Sequence, residues 1–291
     1  MADEIWTVTR LLDWTTEYLK KNQIEDPHLE AEILLSRALN SERIKLYIDF
    51  EKVIDKKTLA TFKGCIIRRA KGEPSAYITG NKQFMSLNFI VTKDVLIPRP
   101  ETELLVENAI ELSKKIGGKA AILDIGTGSG AIAVSMAKFI ENSEIVATDL
   151  SEKALEVAAL NAKKHDVEGK IKFVKADLFP EDIQKFDIIV SNPPYIKTAL
   201  ISGLQREVKD FEPLSALDGG ADGLTYYRAI LDKAPEYLKE NGSIILEISP
   251  ELAKDVISLA KNAFKTKDNK VIKDLNALDR VIVLQFHRKG I

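Results

Sequence analysis

Residues 186–195 read Phe-Asp-Ile-Ile-Val-Ser-Asn-Pro-Pro-Tyr, a short apolar run that ends in Asn192-Pro193-Pro194-Tyr195. The side-chain oxygen of an asparagine and a rigidly placed proline carbonyl can accept both hydrogens of a planar NH2 group while a tyrosine ring packs against its plane. This set suits group transfer to an amide or exocyclic amine. A proline turn closing a strand would explain Pro193 and Pro194 but not Asn192 and Tyr195 with them.

A second cluster lies upstream. Asp124-Ile125-Gly126-Thr127-Gly128-Ser129-Gly130 follows an apolar run and opens a helix at Ala131, so its backbone can approach a ligand closely. The spacing Gly-x-Gly-x-Gly is not that of a dinucleotide site. S-adenosylmethionine has no pyrophosphate to place at a helix N-terminus; it carries an ammonium and a sulfonium that Asp124 can balance. Asp149, at the end of Ala147-Thr148-Asp149, is positioned to accept from two ribose hydroxyls, with Ser151 capping the next helix. Asp177-Leu178 can take an adenine amino group on the aspartate and the base against the leucine. Each aspartate alone reads equally well as a cap or a turn. Three of them at successive strand ends ahead of Asn192, which would face donor and acceptor alike, read as one pocket.

An amide nitrogen is a poor nucleophile because its lone pair is delocalised. Acceptors at Asn192 and Pro193 would align it with the methyl–sulfur bond, and the proton would leave after transfer, so no strong base is required beforehand.

The elements that must carry these residues alternate. Runs at Ala120–Ile125, Glu144–Thr148, Ile171–Lys175, Phe186–Val190 and Ser243–Ile248 read as strands, with helical stretches after the first, second, fourth and fifth and a late strand at Val281–Phe286. The fold class is α/β, a Rossmann-like, mostly parallel sheet with helices on both faces. Residues 1–75 read as a separate all-helical domain, with helices through Leu11–Leu19, from Pro27, and from about Asp55 to Ala70. The pattern of Phe84, Leu87, Phe89 and Val91 predicts a β-hairpin linker over 76–98, leaving 99–291 as the transferase domain.

The chain has 291 residues, 45% of them hydrophobic, enough for two domains with cores of their own. A single cysteine, Cys65, excludes an internal disulfide and a cysteine-based zinc cluster, and fits a small packing residue in a reducing cytosol. No metal is expected. An acidic start and the lack of a long apolar run predict a cytoplasmic protein without membrane contact. A net charge of −2 from 42 basic and 44 acidic residues supplies no field for gathering nucleic acid.

Several stretches besides the glycine loop and Asn192–Tyr195 resemble the release factor glutamine methyltransferase family, the PrmC or HemK type: Tyr77-Ile78-Thr79-Gly80, Phe84 to Phe89, Leu96-Ile97-Pro98-Arg99-Pro100-Glu101-Thr102-Glu103, Asn161-Ala162, and Glu212-Pro213 through Asp222-Gly223-Leu224. The resemblance spans nearly the whole chain. It implies a class I S-adenosylmethionine-dependent enzyme that methylates N5 of the glutamine in the Gly-Gly-Gln loop of class I peptide chain release factors, with a helical domain that helps grip the factor. S-adenosylhomocysteine would be the other product. By that resemblance Gly126 to Gly130, Asp149 and Leu178 hold the cofactor, and Asn192 to Tyr195 hold the glutamine. Arg99-Pro100-Glu101-Thr102-Glu103 favours the release factor over a ribosomal-protein glutamine. In Glu247-Ile248-Ser249-Pro250-Glu251-Leu252 the chain departs after the Glu-Ile pair, where the family more often has glycine and glutamine. An adenine N6 methyltransferase shares the NH2 chemistry but calls for a basic target-recognition module. A silent S-adenosylmethionine-binding scaffold gives Asn192 no reason to accompany Tyr195.

Overall fold

The computed structural model describes residues 5–264 and 269–286. These form two compact units: the chain up to Asn81 together with Gln205–Phe211, and Lys82–Leu204 with the described residues from Glu212 onward.

The first unit contains α1 (Val8–Lys21), α2 (Pro27–Leu39), α3 (Ile44–Ile48), α4 (Lys56–Ala70) and α5 (Ser75–Thr79). Local signals set the ends: Asp55 accepts from the Lys57 and Thr58 backbone N–H groups at 2.9 Å each, satisfying first-turn donors of α4, and Pro27 starts α2. Leu11, Leu19, Leu34, Leu35, Phe62 and Ile66 form the core between the helices, and Cys65 is buried with them. The segment 205–211, with the short α9 (Arg206–Lys209), was not anticipated as part of this unit. Its anchor is Arg69, 4% exposed, which donates to Glu30 at 2.5 Å and to Glu207 at 2.7 Å. A buried guanidinium needs such partners, because removing one leaves an uncompensated charge.

The expected linker over 76–98 divides between the units at 81/82. Ile78 packs into the helical core, whereas Phe84 and Phe89, on the hairpin strands β1 (Asn81–Phe84) and β2 (Leu87–Ile90), pack into the sheet core.

The second unit is built on a seven-stranded sheet: β3 (Ala120–Ile125), β4 (Ser143–Asp149), β5 (Ile171–Lys175), β6 (Phe186–Ser191), β7 (Leu238–Glu247), β8 (Asn269–Lys273) and β9 (Asp279–Gln285), in the order β5-β4-β3-β6-β7-β9-β8. The first five neighbours pair in parallel and β9 runs antiparallel to β7 and β8. Side chains alternate between faces. Ile122 joins the core beneath α6 (Glu103–Ser113) and α7 (Ala131–Phe139), while Leu123 and Ile125 join the core beneath α10 (Thr225–Lys233) and α11 (Ala253–Phe264). The intervening α8 (Glu152–Lys164) places Ala162 in the first of these cores. Two features differ from the sequence pattern. β7 begins five residues before Ser243, and β8 is a polar edge strand whose Asn-Lys-Val-Ile-Lys lacks an apolar run. The helical stretch expected after β6 is α10, which starts at Thr225 after a long loop that carries the short α9.

From β3 the chain goes to β4 on one side and later returns to β6 on the other, so the carboxyl ends of β3 and β6 flank a switch point, where open α/β sheets bind ligands. Asn161 braces this edge. Its amide accepts from Ile90 N–H at 2.7 Å and donates to the carbonyls of Ile90 and Ser129 at 2.9 Å each, tying the hairpin to the glycine loop. Asn161→Ala should lower unfolding free energy by about 1–3 kcal/mol, because these partners lose their bonds in a buried setting. Denaturant titration measures it, and an unchanged midpoint refutes the bracing role.

Candidate active site

A cavity of about 380 Å³ opens at the carboxyl edge of the parallel strands. After β3 it is lined by Gly126 and Gly128, after β4 by Asp149, Leu150 and Ser151, after β5 by Ala176, Asp177 and Leu178, and after β6 by Asn192, Pro193 and Pro194. Register explains the convergence: Ile125 is paired with Ser191, so Gly126 and Asn192 leave the sheet side by side.

The glycine loop is held by its neighbours. The Gly126 and Thr127 N–H groups both donate to Thr148 O at 2.9 Å, and Gly128 N–H donates to Asp149 Oδ2 at 2.9 Å. The other Asp149 oxygen accepts from Ser151 N–H at 2.8 Å, while Ser151 Oγ accepts from Ala154 N–H at the start of α8. Gly126 and Gly128 have φ of +71° and +54°, and a Cβ built on either meets nothing within 4 Å. Gly130 has another role: a Cβ there would stand 2.9 Å from that of Ala158, so this glycine lets α7 approach α8. Leu178 holds φ +67°, rare for a bulky residue, and its carbonyl accepts from Thr148 Oγ1 at 2.6 Å.

Four residues expected at the cofactor lie outside the cavity lining: Asp124, Thr127, Ser129 and Gly130. Asp124 is fully buried and its Oδ2 accepts from Thr127 Oγ1 at 2.6 Å. Burial pushes its carboxyl from 3.8 up to about 7, against the pull of the Thr127 hydroxyl and the Ala133 N–H. The geometry makes it an organiser of the loop. Tyr195 also lies outside the lining; its ring is part-buried against the core beneath α10 and α11. Burial, with the Glu247 charge next, raises its hydroxyl from 10.0 to about 12, which keeps it neutral.

The chain is 43% identical over 281 residues to a release factor glutamine methyltransferase of Geobacter sulfurreducens, covering 96% of each chain. It belongs to the release factor glutamine methyltransferase family. A relative with that name from Chlorobaculum tepidum is 38% identical over 96% of this chain and 97% of its own. Residues 10–80 match the family described as PrmC N-terminal domain and 100–204 the methyltransferase small domain. Among solved structures, a Pyrococcus furiosus methyltransferase aligns with TM-score 0.50 over 70% of this chain and 91% of its own. A T. thermophilus 16S rRNA N2 G1207 methyltransferase, solved with AdoMet and guanosine, aligns with TM-score 0.51 over 71% of this chain and 50% of its own. At 18% identity each, both show the class I methyltransferase fold alone.

In this member of the release factor glutamine methyltransferase family, the loop after β6 is shaped by a stretch the motif reading did not use chemically. Ile196 N–H donates to Leu217 O at 3.0 Å and Gly219 N–H returns a bond to Ile196 O at 2.8 Å. A Cβ on Gly219 would lie 2.7 Å from Tyr195 Cα, and one on Gly223 would lie 2.5 Å from Tyr195 O. Those two glycines let the strap of residues 217–223 press against Pro194 and Tyr195. Glu212 secures another wall: it accepts from Arg99 Nη2 at 2.5 Å and from Ile97 N–H at 3.2 Å, next to the lining residues Val95, Leu96 and Pro213. Sequence reasoning gave no site role to Val95, Leu96, Leu150, Pro213, Ser215, Ala216 and Tyr226, whose types are those of ordinary loop and core positions.

Just ahead of Ser249–Leu252, where the chain departs from the family pattern, Glu247 is only 2% exposed and accepts from Thr102 Oγ1 at 2.5 Å. Burial raises its carboxyl from 4.5 to about 7, partly offset by that hydroxyl. The unfolded carboxyl binds its proton near 4.5 and the folded one near 7, so between these values the folded state holds the extra proton. Glu247 therefore contributes stability that is full below pH 4.5 and lost as pH rises to about 7. Relative to Glu247→Gln, the wild type should lose unfolding free energy across that window in urea titrations. A difference that stays constant with pH rules this out.

Proposed function

We propose that this protein transfers a methyl group from S-adenosylmethionine to the side-chain amide nitrogen N5 of the glutamine in the Gly-Gly-Gln loop of class I release factors. One observation carries the reading: Asn192 and Pro193 line the same cavity as Gly126, Gly128, Asp149 and Leu178. A binder of amide groups and a binder of nucleosides thus share one space.

The residues present fit S-adenosylmethionine. The space in front of Gly126 and Gly128 is what a ligand pressed against backbone needs, because any side chain there would fill it. Asp149 would accept from ribose hydroxyls while keeping its bonds to Gly128 and Ser151, and Leu178, Leu150 and Val95 offer apolar surface to a base with Asp177 at its edge. When bound, the sulfonium supplies an electrophilic methyl group.

The chain's own residues do the rest. Asn192 Oδ1 and the Pro193 carbonyl would accept the two amide hydrogens, which orients the nitrogen and raises its electron density. Neutral Tyr195 stiffens the corner from behind, so the acceptors keep their direction. After transfer the nitrogen is acidic and gives up a proton without a dedicated base. The helical unit, spanning the expected 1–75 domain, would supply grip on the factor outside the glutamine itself. Release factors act in the cytoplasm, and this reading puts the protein there. Among the described residues no helix is long and apolar enough to cross a membrane.

Incubated with labelled S-adenosylmethionine, the protein should label a class I release factor on its Gly-Gly-Gln glutamine, and Asn192→Ala should remove most of that label. Transfer to duplex DNA with none to the factor would overturn the reading. Asp149→Ala should weaken S-adenosylmethionine binding by about 10- to 100-fold, the loss of a charged acceptor being worth about 1.5–3 kcal/mol. Calorimetry showing unaltered affinity removes Asp149 from the site.

A further inference from the structure

Asn192 is useful to a carboxamide substrate only if its oxygen, not its NH2, faces that substrate. An asparagine side chain is nearly symmetric in shape, and a half-turn about its last bond exchanges donor for acceptor. Something must choose between the two.

The choice is made by a relay of residues far apart in sequence. Asn192 Nδ2 donates to Thr102 Oγ1 at 3.2 Å, and Thr102 Oγ1 donates to Glu247 Oε2 at 2.5 Å. A threonine hydroxyl has one proton, and an ionised carboxylate can only accept. With Glu247 ionised, Thr102 spends its proton on the carboxylate and can offer Asn192 only a lone pair. That lone pair binds NH2 and rejects the amide oxygen. Asn192 Oδ1 accepts no hydrogen bond from the described residues, and Asn192 lines the cavity.

Both relay members are anchored. Thr102 is 4% exposed, at the turn that leads into α6, and Glu247 ends β7, where its backbone carbonyl accepts from Tyr227 OH at 2.8 Å. Neither lines the cavity. The charged groups acting on the Glu247 carboxyl are Glu101, Arg280 and Arg99, and the hydroxyls of Tyr195 and Tyr227 feel its charge in turn. Burial, the largest influence, and Glu101 push the carboxyl up to about 7, while Thr102, Arg280 and Arg99 favour the ionised form, so the relay operates above about pH 7.

We propose that Thr102 and Glu247 are positioning residues for methyl transfer, holding the Asn192 carboxamide with its NH2 inward and its oxygen toward the acceptor amide. The inference rests on the glutamine-methylating reading above. It deepens that reading by naming what distinguishes an amide acceptor site from an indifferent asparagine.

The test measures the single-turnover rate of methyl transfer from S-adenosylmethionine to a class I release factor, alongside S-adenosylmethionine affinity by calorimetry. Thr102→Val keeps shape but removes the hydroxyl. Its transfer rate should fall about tenfold or more, the scale of outer positioning partners at other sites, with cofactor affinity within about twofold of wild type. Thr102→Ser, which restores the hydroxyl, should recover most of the rate. Glu247→Gln keeps an acceptor oxygen and should lose less than Glu247→Leu. A Thr102→Val enzyme with the wild-type rate overturns the relay, as does a Thr102→Ser enzyme no faster than Thr102→Val. A rate that falls only in step with cofactor affinity also overturns it, because the pair would then be supporting the pocket alone. The control is Asn192→Ala: if that enzyme transfers at the wild-type rate, the amide-site reading itself fails. A slow Asn192→Ala beside a fast Thr102→Val fails the relay only.

Discussion

Parallel pairing of β3 with β6 is the constraint on which the site depends. With Ile125 beside Ser191, the chain leaves the sheet at Gly126 and Asn192 as neighbours, although 66 residues separate them. Ser191 Oγ reinforces the junction by donating to Ile125 O at 2.8 Å. A slip of one residue would turn the apolar side chains of β6 to the wrong faces of the sheet, at the expense of both cores. Hydrophobic burial therefore fixes the relative positions of the donor-binding and acceptor-binding loops to a tolerance that loop packing alone would not supply.

On this platform the loops are stiffened by bonds that leave little freedom at the reacting end. Asp149 grips the glycine loop through Gly128, Asn161 grips it from behind through Ser129, and the Gly219–Gly223 strap presses on Tyr195. The acidic groups divide by environment. Asp124 and Glu247 are buried and have raised proton affinity, whereas Asp149 lines the cavity. Sequence position alone placed Asp124 and Asp149 in the same class, since both end strands; depth within the sheet separates them.

What was legible in the sequence was local. Alternating runs of Ile, Val and Ala announced β3, β4 and β6, and short-range motifs marked the glycine loop and the Asn192 corner because their chemistry sits within five or six consecutive residues. Long-range partners left no such trace. Thr102 looks like any hydroxyl near a helix start, and its bond to Glu247 spans 145 positions. The two lysines of β8 break up any apolar run that would announce a strand, although an edge strand tolerates them, and charge there discourages further pairing. Glu207 gave no hint of Arg69, because an ion pair has no periodicity to betray it.

The helical unit is discontinuous, since Gln205–Phe211 belongs to it and carries the carboxylate that answers Arg69. During synthesis, the amino-terminal helices emerge long before that segment does. Until then the buried guanidinium has Glu30 but lacks Glu207, and the bundle waits for most of the sheet to be translated before its last ion pair can close. Maturation of the two units is thereby interleaved along the ribosome's output, not completed one after the other.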